Sequence, residues 1–233
     1  MKGWVKLKKK LPFFSAIMVL ILCFSLFPKA PTVSAHETFY NSETGRIVDK
    51  KWYPKSSDSR AYIKVNSQLA KENNVKAYAA SSAKLWEVHC PNEVKVDMNV
   101  PFDQSNVDFA SCTSEYWKKI LPMFSSSTYA YTIYKFQGQG YNTYPTVDSL
   151  MNSPYYIEKT IVYFNPNHVT SYSTSQIQKT CTHEVGHALA LGHSDIPGHS
   201  PIGSSVKSVM RQGPYAGYIA PQQHDKDDIA KKY

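Results

Sequence analysis

Apolar and polar positions along the chain predict strands and helices in a mixed order. Strict alternation over residues 61–65 and 94–100 predicts two half-buried strands. Between them, apolar and alanine positions recur at helical spacing over residues 75–89, and Cys90-Pro91 ends that predicted helix. The pattern predicts a mixed α/β fold.

The rest of the chain alternates between further elements and polar connections. Residues 129–136 are aromatic and β-favouring, and a short apolar run at 160–164 predicts another strand. Helices are predicted over residues 176–191 and 225–232. The remaining stretches are predicted to be irregular: 36–59, 103–111, 137–140 and 199–207.

Residues 1–35 have the three parts of a secretory signal peptide. Five lysines lie among the first ten residues, an almost wholly apolar run follows, and residues 33–35 form a small-x-small cleavage site. The apolar run is short for a membrane span, and Cys23 does not follow a small residue as in a lipoprotein signal. We expect cleavage after Ala35, a secreted extracellular protein of residues 36–233, and no membrane anchor after cleavage.

Most of the positive charge of the chain belongs to this leader. The sequence has 26 basic and 18 acidic side chains, and six of the lysines but none of the acids precede residue 36. The secreted part is therefore nearly neutral, with 20 basic against 18 acidic side chains. This balance gives no reason to expect a nucleic-acid partner. About two hundred residues suit one domain, which we expect to be monomeric.

Three cysteines remain after the predicted cleavage: Cys90, Cys112 and Cys181. An exported protein can form disulfides, and Cys90 with Cys112 is the favoured pair because it closes a local loop outside the helix 176–191. Cys181 is then a buried thiol. It lies two residues before His183, on roughly the other side of the helix, and is not predicted to bind a metal.

The candidate chemistry lies in the sequence His183-Glu184-Val185-Gly186-His187. Two histidines four residues apart share one side of a helix and can chelate one Zn²⁺. A catalytic zinc takes three protein ligands and leaves the fourth position to water. Glu184 lies beside the first ligand, where its carboxylate can reach that water, so the pattern indicates a metalloprotease.

The sequence also narrows the choice of the third ligand. No glutamate follows Glu184, which excludes the zinc peptidases that take a later glutamate as ligand. His193 lies six residues after His187. Residues 188–191 can finish the helix and Gly192 can turn the chain, so that His193 returns to the metal.

With His193 at this offset, and Ser208-Val209-Met210 some seventeen residues further on, the chain resembles the metzincins. Their pattern is H-E-x-x-H-x-x-G-x-x-H followed by a methionine turn. Within them, residues 183–194 resemble a matrixin, the family of matrix metalloproteases and their bacterial relatives. In that family the methionine lies under the zinc as an apolar floor, a role that the resemblance gives to Met210.

One position departs from the family pattern. The family has a glycine seven residues after the first histidine, where it lets the helix stop sharply, and this chain has Ala190. Forcing an L-residue into the left-handed conformation costs about 1–2 kcal/mol. We expect the turn geometry to change more than the metal site, with Gly192 taking up part of the turn.

The resemblance covers residues 52–233 and implies a fold. The matrixin catalytic domain is an α/β domain with a twisted, mostly parallel sheet, two long helices, a zinc helix, a methionine turn and a C-terminal helix. It implies an upper subdomain of about residues 52–193 and a lower one of residues 194–233. Residues 132–136 are then either the edge strand that pairs with an extended substrate or an inner strand, and the sequence leaves both open.

The resemblance further implies a secreted zinc-dependent endopeptidase that hydrolyses peptide bonds in protein substrates. One catalytic Zn²⁺ on His183, His187 and His193 activates a water, and Glu184 is the general base. The alternative is a secreted zinc-binding or adhesion module without turnover. A closed structural site has four protein ligands, however, and Glu184 would be idle there. Matrixins often hold structural calcium, which no acidic cluster of this sequence locates.

Other histidines and tyrosines have weaker claims to the site. His168, His199 and His224 are each isolated in polar stretches and are predicted to be surface side chains. Tyr215 and Tyr218 lie in the stretch that, by the resemblance, lines the specificity pocket, and we expect them to pack locally.

Overall fold

The computed structural model divides into the units Met1–Val33 and Ser34–Tyr233, and the residues that it describes all lie in the second. They are residues 39–40, 47–48, 60–120, 128–136, 138, 156–194, 207–211 and 218–233. The predicted leader lies outside the described residues, so it stays a prediction. Within the described ranges, no helix has both the length and the apolar character needed to cross a membrane.

A short antiparallel hairpin lies near the start of the described chain. Its strands are β1 (Phe39–Tyr40) and β2 (Ile47–Val48), with Phe39 opposite Val48. The prediction of an irregular segment over residues 36–59 is therefore wrong at these positions. Aromatic and β-branched pairs favour strands, and each pair here is too short to show a periodicity.

A five-stranded sheet forms the centre of the fold. Its strands lie in the order β4-β3-β5-β7-β6. Every neighbouring pair is parallel except β6 with β7, which is antiparallel. This confirms the predicted mixed α/β fold with a mostly parallel sheet. The strands are β3 (Ala61–Asn66), β4 (Val94–Met98), β5 (Val107–Ser111), β6 (Ala130–Phe136) and β7 (Ile157–Phe164).

Two long helices, α1 (Asn73–His89) and α3 (Thr174–Ala188), pack against each other and against the sheet. The shorter helices are α2 (Ser114–Ile120) and α4 (Gln223–Lys232). Trp117 of α2 forms a second, smaller apolar cluster with side chains of β6 and β7. The largest fully buried side chains of the main core are Trp86, Phe109, Phe164, Ile63, Ile157 and Ile177.

The predicted elements differ from the observed ones mainly at their ends. Helix α1 begins two residues before the predicted start and ends at the predicted residue, and β7 begins three residues earlier than predicted. Strand β4 ends at Met98 rather than residue 100, because Asn99 adopts a positive φ of 58°. Helix α2 was not predicted.

The prediction that residues 103–111 form a loop is wrong, because β5 occupies residues 107–111. Strand β5 lies between β3 and β7, and its first four side chains are all buried, so it shows no alternation of apolar and polar residues. Asp108 misled the prediction because it is charged. In the structure it is fully buried and pairs with Lys159, whose Nζ lies 2.7 Å from Oδ2.

The favoured disulfide between Cys90 and Cys112 is also wrong. Cys90, Cys112 and Cys181 are all free thiols. Cys90 follows α1, at the edge of the sheet where β4 begins, and Cys112 directly follows the last residue of β5. Because β4, β3 and β5 run parallel, Cys90 lies where these strands begin and Cys112 lies where they end, beyond the reach of a disulfide.

Candidate metal centre

Helix α3 carries three of the four predicted chemical side chains, and its start is fixed by a capping box. The Ser173 hydroxyl accepts a hydrogen bond from the Gln176 backbone N–H, and the Gln176 side chain accepts one from the Ser173 N–H. Such a cap satisfies backbone donors that the first turn of a helix leaves without partners. The helix therefore begins at Thr174, two residues before the predicted start.

Three predicted histidines converge at the other end of this helix. The Nε2 atoms of His187 and His193 are 3.1 Å apart, and those of His193 and His183 are 3.2 Å apart. All three side chains are partly buried. Within the described residues, this is the group of His, Cys, Asp and Glu side chains that could hold a metal ion.

Backbone carbonyls set the orientation of two of the imidazole rings. His183 Nδ1 lies 2.9 Å from Val209 O, and His187 Nδ1 lies 2.8 Å from Leu191 O. A carbonyl only accepts, so each Nδ1 carries the proton and each Nε2 presents a lone pair. The candidate ligand nitrogens of the three histidines lie within 4.8 Å of one another, and this donor set fits a metal ion.

Burial keeps these two rings neutral. Burial, together with the neighbouring His187, lowers the pKa of His183 from 6.5 to about 3. It also lowers the pKa of His187 to about 4. A neutral imidazole is the form that binds a metal. Both side chains are therefore in the ligand form near neutral pH.

The chain turns back toward these histidines at Ala190. Ala190 has a φ of 65°, in the left-handed region. Its N–H bonds to His187 O at 2.7 Å, and the Leu191 N–H bonds to Gly186 O at 3.0 Å, which is the Schellman pattern of a helix end. The expectation that the helix continues to residue 191 and turns at Gly192 is therefore wrong. Ala190 adopts the left-handed conformation that glycine most often takes at the end of a helix.

Glu184 is enclosed beside the histidines. Only 4% of its surface is exposed, and Thr132 of β6 donates a hydrogen bond of 2.6 Å from Oγ1 to Glu184 Oε2. Burial raises the pKa of Glu184 to about 7, and the bond from Thr132 opposes the rise. Sequence reasoning missed Thr132 because 52 residues separate it from Glu184.

Met210 lies against the helix that bears the histidines. It is 1% exposed, and it packs over Gly186. A Cβ added at Gly186 would lie 2.8 Å from a Trp86 ring carbon and still closer to Met210 Sδ. Trp86 also donates from Nε1 to Thr182 O at 2.9 Å. Glycine inside a helix lowers the stability of the helix. Gly186 is therefore a signal in the sequence that other atoms pack closely against the helix at this position.

Asp225 of α4 holds the turn that carries Met210. Its carboxylate accepts bonds from the Val209 N–H at 2.9 Å, from the Gln222 N–H at 2.7 Å and from the Ser208 hydroxyl. Burial raises the pKa of Asp225, and these hydrogen bonds oppose the rise. Sequence reasoning placed Asp225 only at the start of the last helix. Its contacts tie that helix to the metal centre.

Strand β6 lies beside α3 and forms one edge of the sheet. Among the described strands, residues 132–136 therefore lie in the last strand of the sheet. Tyr134 donates from its hydroxyl to His187 O at 2.9 Å, and Tyr233 donates to Leu189 O at 3.1 Å. The first bond adds to the one that His187 O accepts from the Ala190 N–H, and the second gives a partner to the carbonyl of the C-cap residue Leu189.

The remaining candidate side chains lie away from the histidine cluster or outside the described residues. His168 is partly buried beside a short 3-10 turn, Val169–Ser171. His224 lies 3.6 Å from the Asp228 carboxylate on α4. Within the described stretches, neither of them joins the metal-capable group. His199 and Tyr215 lie outside the described residues.

The chain is similar to solved structures of myroilysin. One aligns with 79% of this chain and 95% of its own, at 14% sequence identity and a TM-score of 0.42. A crystal structure of myroilysin aligns with 79% of this chain and 89% of its own, at 15% identity and a TM-score of 0.41. No protein-family model and no curated protein matches the chain. The site is therefore interpreted from its own geometry.

Proposed function

We propose that the chain is a secreted zinc-dependent endopeptidase of the matrixin type, with His183, His187 and His193 as metal ligands and Glu184 as general base. The position of His193 Nε2, 3.1 Å from His187 Nε2 and 3.2 Å from His183 Nε2, beside the buried carboxylate of Glu184, carries this proposal. We further propose that it acts outside the cell as a monomer, on protein or peptide substrates.

The spacing of the three nitrogens supports zinc as the metal. Zn–N bonds of 2.0–2.1 Å in a tetrahedral site place two nitrogens about 3.3 Å apart. The observed separations of 3.1 and 3.2 Å agree with that value. Three imidazoles leave the fourth position of a tetrahedral zinc open, as in catalytic rather than structural sites.

The side chains support hydrolysis of a peptide bond. A bound Zn²⁺ would lower the pKa of a water molecule and polarise the substrate carbonyl. Glu184 accepts a proton from the water as its oxygen attacks the carbonyl carbon, and then gives that proton to the leaving amine nitrogen. Burial favours the protonated form of Glu184 and a nearby cation would favour the ionised form, so this carboxyl can both accept and return a proton.

Strand β6 offers a binding place for an extended substrate. Among the described strands it is the last of the sheet and pairs with β7. A peptide that adds to this edge as a further strand would run past Thr132, the residue that contacts Glu184. The substrate class that fits is therefore an unfolded or extended polypeptide.

Cleavage of an unfolded protein tests this proposal. Zinc-loaded, dialysed protein is mixed with casein, and we expect fragments that a chelator abolishes and that added zinc restores. Glu184→Gln should keep the zinc and lose about 10²–10⁴-fold in rate, because it removes the general base. Glu115→Gln, at an exposed position on α2, is the matched control and should cleave normally.

Two outcomes would contradict the proposal. Folded, zinc-loaded protein that cleaves no polypeptide would favour the alternative of a zinc-binding or adhesion module without turnover. A Glu184→Gln variant as active as the unchanged protein would remove Glu184 from the chemistry.

A further inference from the structure

Thr132 is the side chain of the sheet that reaches the proposed base. It lies on β6 opposite Val162 of β7 and is 5% exposed. Alternation along the strand places Thr132 on the face that meets α3, whereas Tyr131 and Ile133 pack with Trp117 on the opposite face. The hydroxyl of Thr132 therefore points at α3 because of the register of the strand.

The hydrogen bond has one direction when Glu184 is ionised. A carboxylate only accepts hydrogen bonds, so the Thr132 hydroxyl must donate to Oε2, and 2.6 Å is a normal length for such a charged bond. The same hydroxyl lies 3.3 Å from the Glu184 backbone carbonyl, a longer and weaker contact. Within the described part of the chain, the hydrogen bond to Thr132 is at Oε2 and leaves Oε1 for other partners.

We propose that Thr132 is a positioning residue that anchors Glu184 by Oε2 and leaves Oε1 as the oxygen that exchanges the catalytic proton. This inference rests on the proposed function. The attacking water gives one proton to Oε1, and that proton passes to the leaving amine nitrogen. Thr132 keeps its own proton throughout, because its bond to Oε2 is needed in both steps. Without that bond the carboxylate can rotate away from the water.

Two substitutions at this position separate the hydroxyl from the rest of the side chain. Thr132→Val keeps the shape and removes the hydroxyl, and we expect kcat to fall about 10- to 100-fold, as for other small misplacements of catalytic groups. KM and the zinc content should not change, because Thr132 touches no metal ligand. Thr132→Ser restores the hydroxyl and should recover kcat to within about threefold of the unchanged protein.

Thr160→Val is the matched control. Thr160 lies on the neighbouring strand β7 and is fully buried, and its Oγ1 has no hydrogen-bond partner in the described structure. The same chemical change there should leave kcat unaltered. An equal fall of kcat in both valine variants would overturn the proposal, since the effect would then come from a general disturbance of the sheet.

A second readout needs neither metal nor substrate. The infrared carboxylate band of Glu184 is isolated in the metal-free protein as the difference between the unchanged protein and Glu184→Gln. We expect Thr132→Val to shift this band and Thr132→Ser to leave it in place, because a hydrogen bond at one oxygen makes the two C–O bonds unequal. An unshifted band together with an unchanged kcat in Thr132→Val overturns the inference.

The two proposals fail in distinguishable ways. A zinc-loaded, unchanged protein that cleaves nothing defeats the endopeptidase, and the positioning role falls with it. If the unchanged protein cleaves casein and Glu184→Gln does not, a fully active Thr132→Val defeats the positioning role alone.

Discussion

The two long helices pack against each other but are enclosed to very different degrees. Helix α1 buries one stripe of side chains and exposes its last residues, Val88 and His89. From Lys179 to its end, helix α3 has no exposed residue, and its buried polar side chains are Lys179, Thr182 and Glu184. Both helices contribute to the same core, and α3 alone carries candidate chemistry.

The two helices also differ in how firmly their ends are held, and α3 is again the more constrained helix. The residue before α1, Glu72, makes no side-chain cap bond, whereas the residue before α3, Ser173, forms a capping box. Helix α3 also ends on a left-handed alanine and has tyrosine hydroxyls on its last carbonyls. A helix that only contributes side chains to the core can have loosely defined ends. A helix that positions several side chains at one site needs both of its ends held in place.

Burial of the two histidines of helix α3 should make the metal-free protein less stable as the pH falls. Burial lowers the pKa of His183 to about 3 and of His187 to about 4. Between these values and 6.5, the unfolded chain binds protons that the folded chain does not. The contribution of these two histidines to the free energy of unfolding therefore rises with pH in this window and falls as the pH drops from 6.5 toward 4, whereas the raised pKa of Glu184 contributes in the opposite sense.

We expect the pair to contribute roughly 2 kcal/mol of lost stability between pH 7 and pH 5, since partial exposure of the rings reduces the full linkage effect. Urea unfolding of the chelator-treated protein at both pH values measures it. The double variant His183→Gln, His187→Gln should lose less stability over this range. His89→Gln, at an exposed position on α1, should follow the unchanged protein. Equal losses in all three proteins would contradict the prediction.

The close approach of Met210 to α3 gives a second difference between the helices. Replacing Gly by Ala inside a helix normally stabilises by about 0.5–1 kcal/mol. At Gly186 we expect the opposite, a loss of about 1–3 kcal/mol, because the new methyl group collides with Trp86 and Met210. The midpoint and slope of urea unfolding give the sign.

A double-mutant cycle identifies the cause of that loss. Met210→Ala removes the sulfur and methyl that the added carbon would meet, so the cost of Gly186→Ala should shrink in this background. A cost that stays the same in both backgrounds would assign it to something other than this contact.

The parts of the fold and site that sequence predicted are those defined by local spacing. Helix α1 was found from its periodicity, with its end at His89. The histidines lie within ten residues of one another, so their spacing on a helix and a turn was enough to bring them together. Strand β5 was missed because burial on both faces removes the alternation by which strands are recognised.

The partners that support the site come from far along the chain. The contacts of Thr132 with Glu184, of Trp86 with Thr182 and of Asp225 with Val209 span 52, 96 and 16 residues. Sequence spacing carries information about neighbours on one helix or strand and none about such separations. The histidine cluster was therefore predictable, whereas the side chains that orient it had to be observed.

The smallest expected effect concerns the end of α3, where Ala190 adopts a conformation that costs an L-residue about 1–2 kcal/mol. Ala188 lies two residues earlier, is helical and is equally buried. Ala190→Gly and Ala188→Gly lose the same methyl group and gain the same freedom in the unfolded chain. Only the first also relieves strain, so Ala190→Gly should be better tolerated by about 1–2 kcal/mol in urea unfolding. Equal costs would mean that the surrounding hydrogen bonds, not the residue type, decide how this helix ends.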